Sequence, residues 1–252
     1  MTALDDPATS TTNRSRVFWP TVLVTLAFAP VLRWAIARFS TPPGQPWRRA
    51  CPQCGTPFGW QSRQAAAILS PLGRCGRCGT RFGAAPFVAE VGLAALVAVA
   101  VSTGVRGWPL AAYCWWAAAI WLVLSVVDAK VHRLPDVLVG LASAGFLLLA
   151  LPGGWASVQR ACLAGLAYAA VMLIAALTRH GMGLGDVKAA FSLGAAAGWI
   201  SWPTLLISVF TGFGLLALWG IALVAAGRAS WRSRLAAGPF LLAGVLASLI
   251  LH

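Results

Sequence analysis

Apolar residues form long runs along most of this chain, and short turns rich in Gly, Pro or Arg separate these runs. About 20 apolar residues suffice for a helix that crosses the hydrocarbon core of a bilayer. The pattern predicts eight spans, one within residues 17–38 and the others at Phe87–Val105, Trp108–Val127, Val137–Leu151, Ala161–Thr178, Val187–Ile200, Pro203–Ala226 and Leu235–Leu251. The run Val187–Ile200 is short enough to be re-entrant instead. The expected fold class is therefore all-α, a polytopic membrane bundle of about eight transmembrane helices.

Polar stretches divide the chain further. The expected divisions are a disordered tail (1–16), the first span (17–38), a small polar loop domain (39–85) and a membrane domain (86–252). A cleaved signal peptide is an alternative interpretation of the first span, because Ala35 and Ala37 loosely fit a cleavage site. Asp5 and Asp6 argue against it, since the start of a signal peptide is basic.

Composition and charge narrow the class of protein. The chain is 59% hydrophobic and only 10% charged, whereas a soluble domain carries roughly 25% charged residues. Its 19 Lys and Arg outnumber 6 Asp and Glu, for a net charge of +13. Most of these cations fall on one side of the predicted bundle if the loop domain is cytoplasmic, as the positive-inside rule requires. The charge therefore indicates orientation in a lipid bilayer and no nucleic-acid partner.

This orientation places four of the six acids at the cytoplasmic boundary of the membrane. Asp128 ends the third span, Asp136 begins the fourth, Asp186 precedes the sixth and Glu90 lies near the start of the second. An ionisable group at a membrane boundary is costly and marks a candidate functional site. Two neighbouring carboxylates can share a proton, one acting as base on water and the other as acid, as peptide hydrolysis needs. Asp136 fits a helix-capping role equally well.

A glycine-rich stretch leads into Asp186. Gly183 and Gly185 belong to alternating glycines that could adopt positive φ and let an extended peptide approach closely. A phosphate-binding loop is disfavoured, because the Gly-Lys-Ser/Thr ending is absent. His132 and His180 lie near the acids and could assist them, although interfacial polar histidines are the simpler interpretation.

The loop domain carries two Cys-x2-Cys pairs, Cys51 with Cys54 and Cys75 with Cys78. Two such pairs can supply four thiolates to one tetrahedral zinc ion. Two disulfides are the alternative, but they need an oxidising compartment, and the charge distribution places this loop in the cytoplasm. A zinc site is therefore the preferred prediction.

Several of these motifs together resemble one family, the type IV prepilin peptidases, which are membrane aspartic peptidases of the Gly-x-Gly-Asp type. The resemblance rests on four features: an Asp followed eight residues later by the acid of a Leu-Pro-Asp (within residues 127–136), Gly-Met-Gly-Leu-Gly-Asp-Val-Lys (181–188), the two cysteine pairs, and a Pro and Glu entering the second span (86–90). It covers the chain from about residue 50 to the sixth span.

The resemblance implies a bifunctional enzyme of the bacterial inner membrane with its active site facing the cytoplasm. Such an enzyme cleaves the basic leader of prepilins and pseudopilins of pili and type II secretion after a Gly, then methylates the new amino terminus with S-adenosylmethionine. Asp128 and Asp186 match the catalytic aspartates, and Lys188 belongs to the active-site motif. We expect Asp136, Glu90 or both to bind the basic leader.

The amino-terminal half departs from the family pattern. The first span lacks the Gly-Ser-Phe-Leu-Asn-Val-like motif, and residues 55–74 lack the acids and asparagines that the family carries there. Both regions belong to the half associated with methylation, so one alternative is a peptidase without methyltransferase activity. The other alternative is a transporter whose cysteine loop senses metal, which the absence of repeated halves disfavours.

Overall fold

The computed structural model of the protein describes residues 27–57, 72–75, 77–81, 83–102, 108–178, 183–230, 233 and 235–251. Within these ranges the fold is all-helical, apart from two isolated β-bridges. Its helices are α1 (27–39), α2 (Val88–Ser102), α3 (Trp108–Val131), α4 (Asp136–Ala150), α5 (Trp155–Thr178), α6 (Leu184–Ile200), α7 (Trp202–Ala225) and α8 (Gly238–Ile250), with a 3-10 turn at Leu151–Gly153. This confirms the all-α fold class, whereas the count of about eight membrane spans stays a prediction. The tail 1–16, the first part of the first span and His180 lie outside the described residues.

The short helix α6 is the centre of the bundle. More than half of its residues are buried, and α5 packs against it along most of its length. Small residues make the contact close: a methyl group on Gly198 would lie 2.0 Å from Cβ of Ala164, and one on Gly194 would lie 2.7 Å from the backbone oxygen of Ala164. Without a hydrophobic driving force between helices in lipid, such small residues let backbones approach and pack. Protein therefore surrounds much of α6.

Two longer helices that pack against α6, α5 and α7, expose large apolar side chains. Leu166 and Ile174 of α5 and Phe210 and Leu218 of α7 are more than half exposed. In the described part of the chain, three segments have the length and composition to cross a membrane: Asp136–Gly153, Trp155–Leu177 and Trp202–Ala225. These exposed faces are where lipid would lie.

Helix boundaries differ from the apolar runs in two informative places. Helix α3 continues past its apolar run to Val131, so Asp128 lies on the last turn of a helix rather than in a loop. Helix α5 begins at Trp155, six residues before the predicted start, because the polar residues Gln159 and Arg160 belong to its first turns. Arg160 donates to the carbonyls of Gly198 and Trp199, at 3.1 and 2.7 Å, and so satisfies the carboxyl end of α6.

Candidate active site and metal centre

Asp128 is a buried carboxylate between two helices. It lies on the last turn of α3, and the residue is only 4% exposed. Its Oδ2 accepts a hydrogen bond of 2.9 Å from the backbone amide of Gly238, the first residue of α8. The amino end of a helix favours a negative charge, so α8 provides a suitable environment for this carboxylate.

Asp186 lies on the first turn of α6. Its Oδ2 accepts a hydrogen bond of 3.0 Å from the amide of Gly183, the residue that caps this helix. Neither Gly183 nor Gly185 uses the positive φ that a glycine allows, because Gly183 has φ −93° and Gly185 is part of α6. The physical reason is that the acid itself closes the helix start, which needs no left-handed residue. A methyl group on Gly185 would meet Cβ of Leu134 at an ordinary 3.6 Å.

The charge of Asp186 affects the ionisation of Asp128, and both acids lie outside the three candidate spans. Burial raises the pKa of Asp128 to about 6, and the charge of Asp186 raises it as well, while the Gly238 amide and His132 lower it. Burial also raises the pKa of Asp186, against the opposing effects of the Gly183 amide and His132. The structure thus brings together the two acids that the sequence paired, with His132 near both. A pair of this kind can hold one proton between its two carboxyl groups.

Asp136 and Lys188 connect the two acidic motifs. Nζ of Lys188 in α6 donates to Oδ1 of Asp136, the first residue of α4, at 2.9 Å. Their side chains are 59% and 74% exposed, so this ion pair stabilises the fold by no more than about 1 kcal/mol. Asp136 thus remains available to a charged partner from solution.

Glu90 has a different environment from the other acids. Oε1 of Glu90 in α2 pairs with Nη2 of Arg33 in α1 at 2.8 Å, and the two side chains are 15% and 8% exposed. Nε and Nη1 of Arg33 and Oε2 of Glu90 have no hydrogen-bond partner among the described residues. Glu90 was a predicted site residue, whereas its partner Arg33 was missed; the available signal is that Arg33 interrupts an apolar run.

The four cysteines form a compact sulfur cluster, the tetracysteine cluster. Its sulfur atoms all lie within 4.8 Å of one another, with Cys51 and Cys78 3.6 Å apart and Cys54 and Cys75 3.7 Å apart. Zn–S bonds of 2.3 Å in a tetrahedron separate the sulfurs by about 3.8 Å, so the arrangement is compatible with zinc. These cysteines are free thiols, not the disulfides of the alternative interpretation.

Two matching turns build the cluster. In each turn the backbone carbonyl oxygen of the first cysteine accepts a hydrogen bond from the amide of a glycine. That glycine, Gly55 or Gly79, has φ near +70°. Hydrogen bonds from the following residue, Thr56, lower the pKa of Cys54 to about 6, and Thr80 lowers the pKa of Cys78 in the same way. Lowered thiol pKa values favour the thiolate form that binds metals.

The loop domain is attached directly to the carboxyl end of α3. Nη1 of Arg133 donates to the carbonyls of Gln45 and Pro42 at 3.1 and 3.4 Å, and its guanidinium lies 3.9 Å from the ring centroid of Trp47. Nζ of Lys130 donates to the carbonyl of Gly83. Because both cations follow Asp128 within five residues, the loop domain contacts the segment that carries this acid.

The arrangement defines a class of protein: a polytopic helical membrane protein with two neighbouring carboxyl groups at helix ends. The sequence profile of the type IV leader peptidase family matches residues 115–221, which include both acids. The chain is similar to prepilin leader peptidase/N-methyltransferases of Burkholderia pseudomallei strain K96243 (35% identical over 214 residues) and Pseudomonas putida (31% over 211 residues). These matches cover 80% and 79% of this chain.

The chain belongs to the type IV leader peptidase family, as the resemblance predicted. The match spans 66% of the length of the Burkholderia relative and 70% of the Pseudomonas relative. No solved structure matches the chain.

Proposed function

We propose that this protein is an aspartic endopeptidase of the bacterial inner membrane that removes the basic leader of prepilins and pseudopilins. Cleavage follows a Gly on the cytoplasmic side, and the enzyme then N-methylates the new amino terminus. The observation that supports the proposal is the pair Asp128 and Asp186, which lie close enough for the charge of Asp186 to raise the pKa of Asp128. The family membership and the cationic cytoplasmic loops that the sequence predicts support it.

The environments of the two acids suggest their roles. Asp128 is the more buried acid and carries the shared proton, so it is the general acid; Asp186, at the more open start of α6, is the general base. Asp186 takes a proton from water as the water oxygen bonds to the scissile carbonyl carbon, and Asp128 protonates the carbonyl oxygen. The C–N bond then breaks as Asp186 gives its proton to the leaving amine, while Asp128 takes a proton back from a hydroxyl of the gem-diol. The leader then ends in a carboxyl group, the released peptide begins with a free amino group, and both acids have their starting protonation.

The leader is proposed to bind near Asp136. Exchange of the exposed Lys188 for a leader cation costs little, because the exposed ion pair is worth no more than about 1 kcal/mol. Glu90 is less suited to this role, since removal of one partner from a buried ion pair costs about 3–5 kcal/mol. Gly183 and Gly185, at the start of α6, leave room for the peptide beside Asp186.

For methylation, Arg33 and Glu90 are suited to bind the amino-acid end of S-adenosylmethionine. S-adenosylmethionine supplies an electrophilic methyl group and carries an α-amino acid with one positive and one negative charge. Arg33 offers two unused donor nitrogens and Glu90 an unused carboxylate oxygen, all buried, which suit this zwitterionic end. Arg33 would bind the carboxylate and Glu90 the ammonium group of the cofactor.

Zinc is proposed to occupy the tetracysteine cluster as a structural ion. Four cysteine ligands leave no open coordination position, which is typical of structural sites. Such an ion would fix the loop domain that contacts Arg133 and Lys130, and thereby the carboxyl end of α3.

Mass spectrometry of a prepilin incubated with the purified protein tests the whole proposal. With S-adenosylmethionine carrying a labelled methyl group, we expect a peptide cleaved after the leader Gly and labelled on its new amino terminus. A cleaved but unlabelled product would contradict the methyltransferase half alone. An intact prepilin would contradict the peptidase proposal.

A further inference from the structure

The buried hydrogen bond between α8 and Asp128 joins residues 110 positions apart. From its geometry we infer that Gly238 is a positioning residue, which holds the carboxylate of Asp128 in its reactive orientation through its amide and through its lack of a side chain. The inference rests on the proposed function, because it assigns a task relative to the catalytic acid.

The local sequence explains why the amide of Gly238 is the one that binds Asp128. Among the first four residues of α8, Pro239 has no amide hydrogen, and the amides of Phe240 and Leu241 donate to the carbonyl of Ala237 at 3.1 and 3.0 Å. Gly238 therefore carries the one amide of this first turn that is free to bind the carboxylate.

The missing side chain is equally important. A methyl group on Gly238 would lie 3.0 Å from Oδ2, 3.3 Å from Cβ and 3.5 Å from Cγ of Asp128. The first two distances are shorter than ordinary van der Waals contacts. The carboxyl group would therefore have to move by a few tenths of an ångström from its present position.

Helix α8 is itself held firmly, so it cannot easily retreat from an added methyl group. A methyl group on Gly244 would lie 2.4 Å from the carbonyl oxygen of Ser208 and 2.7 Å from the amide nitrogen of Gly212, both in α7. Backbones this close fix the position of α8 along α7. The strain from a Gly238→Ala substitution therefore falls on Asp128.

Kinetics of Gly238→Ala and Gly238→Val test the inference. We expect kcat to fall about tenfold for Ala and further for Val, since a misplacement of 1 Å can cost 100-fold, while the KM for prepilin stays unchanged. Gly140→Ala in α4 is the matched control, because nothing lies within 4 Å of the added methyl group. A general effect on helix stability predicts no such loss, since Ala favours helix more than Gly does.

The pH profile supplies a readout that a structural role would not change. The Gly238 amide lowers the pKa of Asp128, so a weakened hydrogen bond moves the alkaline limb of the kcat profile to higher pH. Loss of folded protein would lower the rate at every pH without moving that limb. A wild-type rate and profile in Gly238→Ala would overturn the inference, as would a loss of activity accompanied by a lowered unfolding midpoint.

Asp128→Asn, assayed in parallel, separates this inference from the proposed function. An active Asp128→Asn enzyme would contradict the proposed function itself. An inactive Asp128→Asn enzyme beside a Gly238→Ala enzyme with wild-type kinetics would contradict the positioning role alone.

Discussion

The buried ion pair between Arg33 and Glu90 allows a quantitative test of the structure. The side chains are 8% and 15% exposed, and their charged groups meet at 2.8 Å between α1 and α2. Arg33→Met leaves a buried carboxylate unpaired, and Glu90→Leu leaves a buried guanidinium unpaired. Each should lower the free energy of unfolding by about 3–5 kcal/mol.

The double variant Arg33→Met/Glu90→Leu should recover most of this loss, because apolar residues of similar volume replace a buried pair at little cost. For a chain of this size, 1 kcal/mol shifts the unfolding midpoint by about 2–4 °C, so each single variant should lose about 6–20 °C. The 13 tryptophans make intrinsic fluorescence in detergent a suitable readout. Arg49→Met, at an exposed arginine of the loop domain, is the control and should leave the midpoint unchanged.

Methylation should respond differently from stability. If Arg33 and Glu90 bind S-adenosylmethionine, the double variant recovers the midpoint but not methyl transfer. A loss of stability in the double variant that equals the sum of the losses in the two single variants would refute a buried ion pair at this position.

Three further predictions concern the metal, the leader and the shared proton. Cys78→Ser should abolish stoichiometric zinc, measured by elemental analysis, and reduce cleavage through the loop domain; full cleavage without metal would contradict this role. Asp136→Asn should raise the KM for a prepilin with a basic leader but not for one with a neutralised leader; equal effects on both leaders would count against a leader contact. The rate of cleavage should fall as the pH rises above the pKa of Asp128, about 6 in the free enzyme, because the pair of acids then loses its shared proton. A rate that does not change with pH through this range would argue against Asp128 as the acid.

The sequence was sufficient to predict features whose chemistry is local. Two Cys-x2-Cys pairs predicted the tetracysteine cluster, since each pair of ligands comes from one turn. Asp128 and Asp186 could be paired because apolar runs of known length place their helix ends on the same side of a membrane. The fold class followed from the same runs.

Features that depend on the packing of distant helices could not be predicted. The contact of Gly238 with Asp128 joins separate spans, and hydropathy contains no information about which spans are neighbours. Hydropathy also cannot distinguish a helix that faces lipid from one that faces protein. The abundance of Ala and Gly in α6 was the available signal for its central position.

Cleavage of a prepilin by membranes that contain the wild type, Asp128→Asn, Asp186→Asn or Asp136→Asn tests the two-carboxylate mechanism most directly. Asn preserves the shape of Asp but cannot exchange the proton, and immunoblots normalise each rate to the amount of enzyme. The two-carboxylate mechanism predicts no cleavage by Asp128→Asn or Asp186→Asn and continued cleavage by Asp136→Asn. Normal cleavage by either of the first two variants would contradict it.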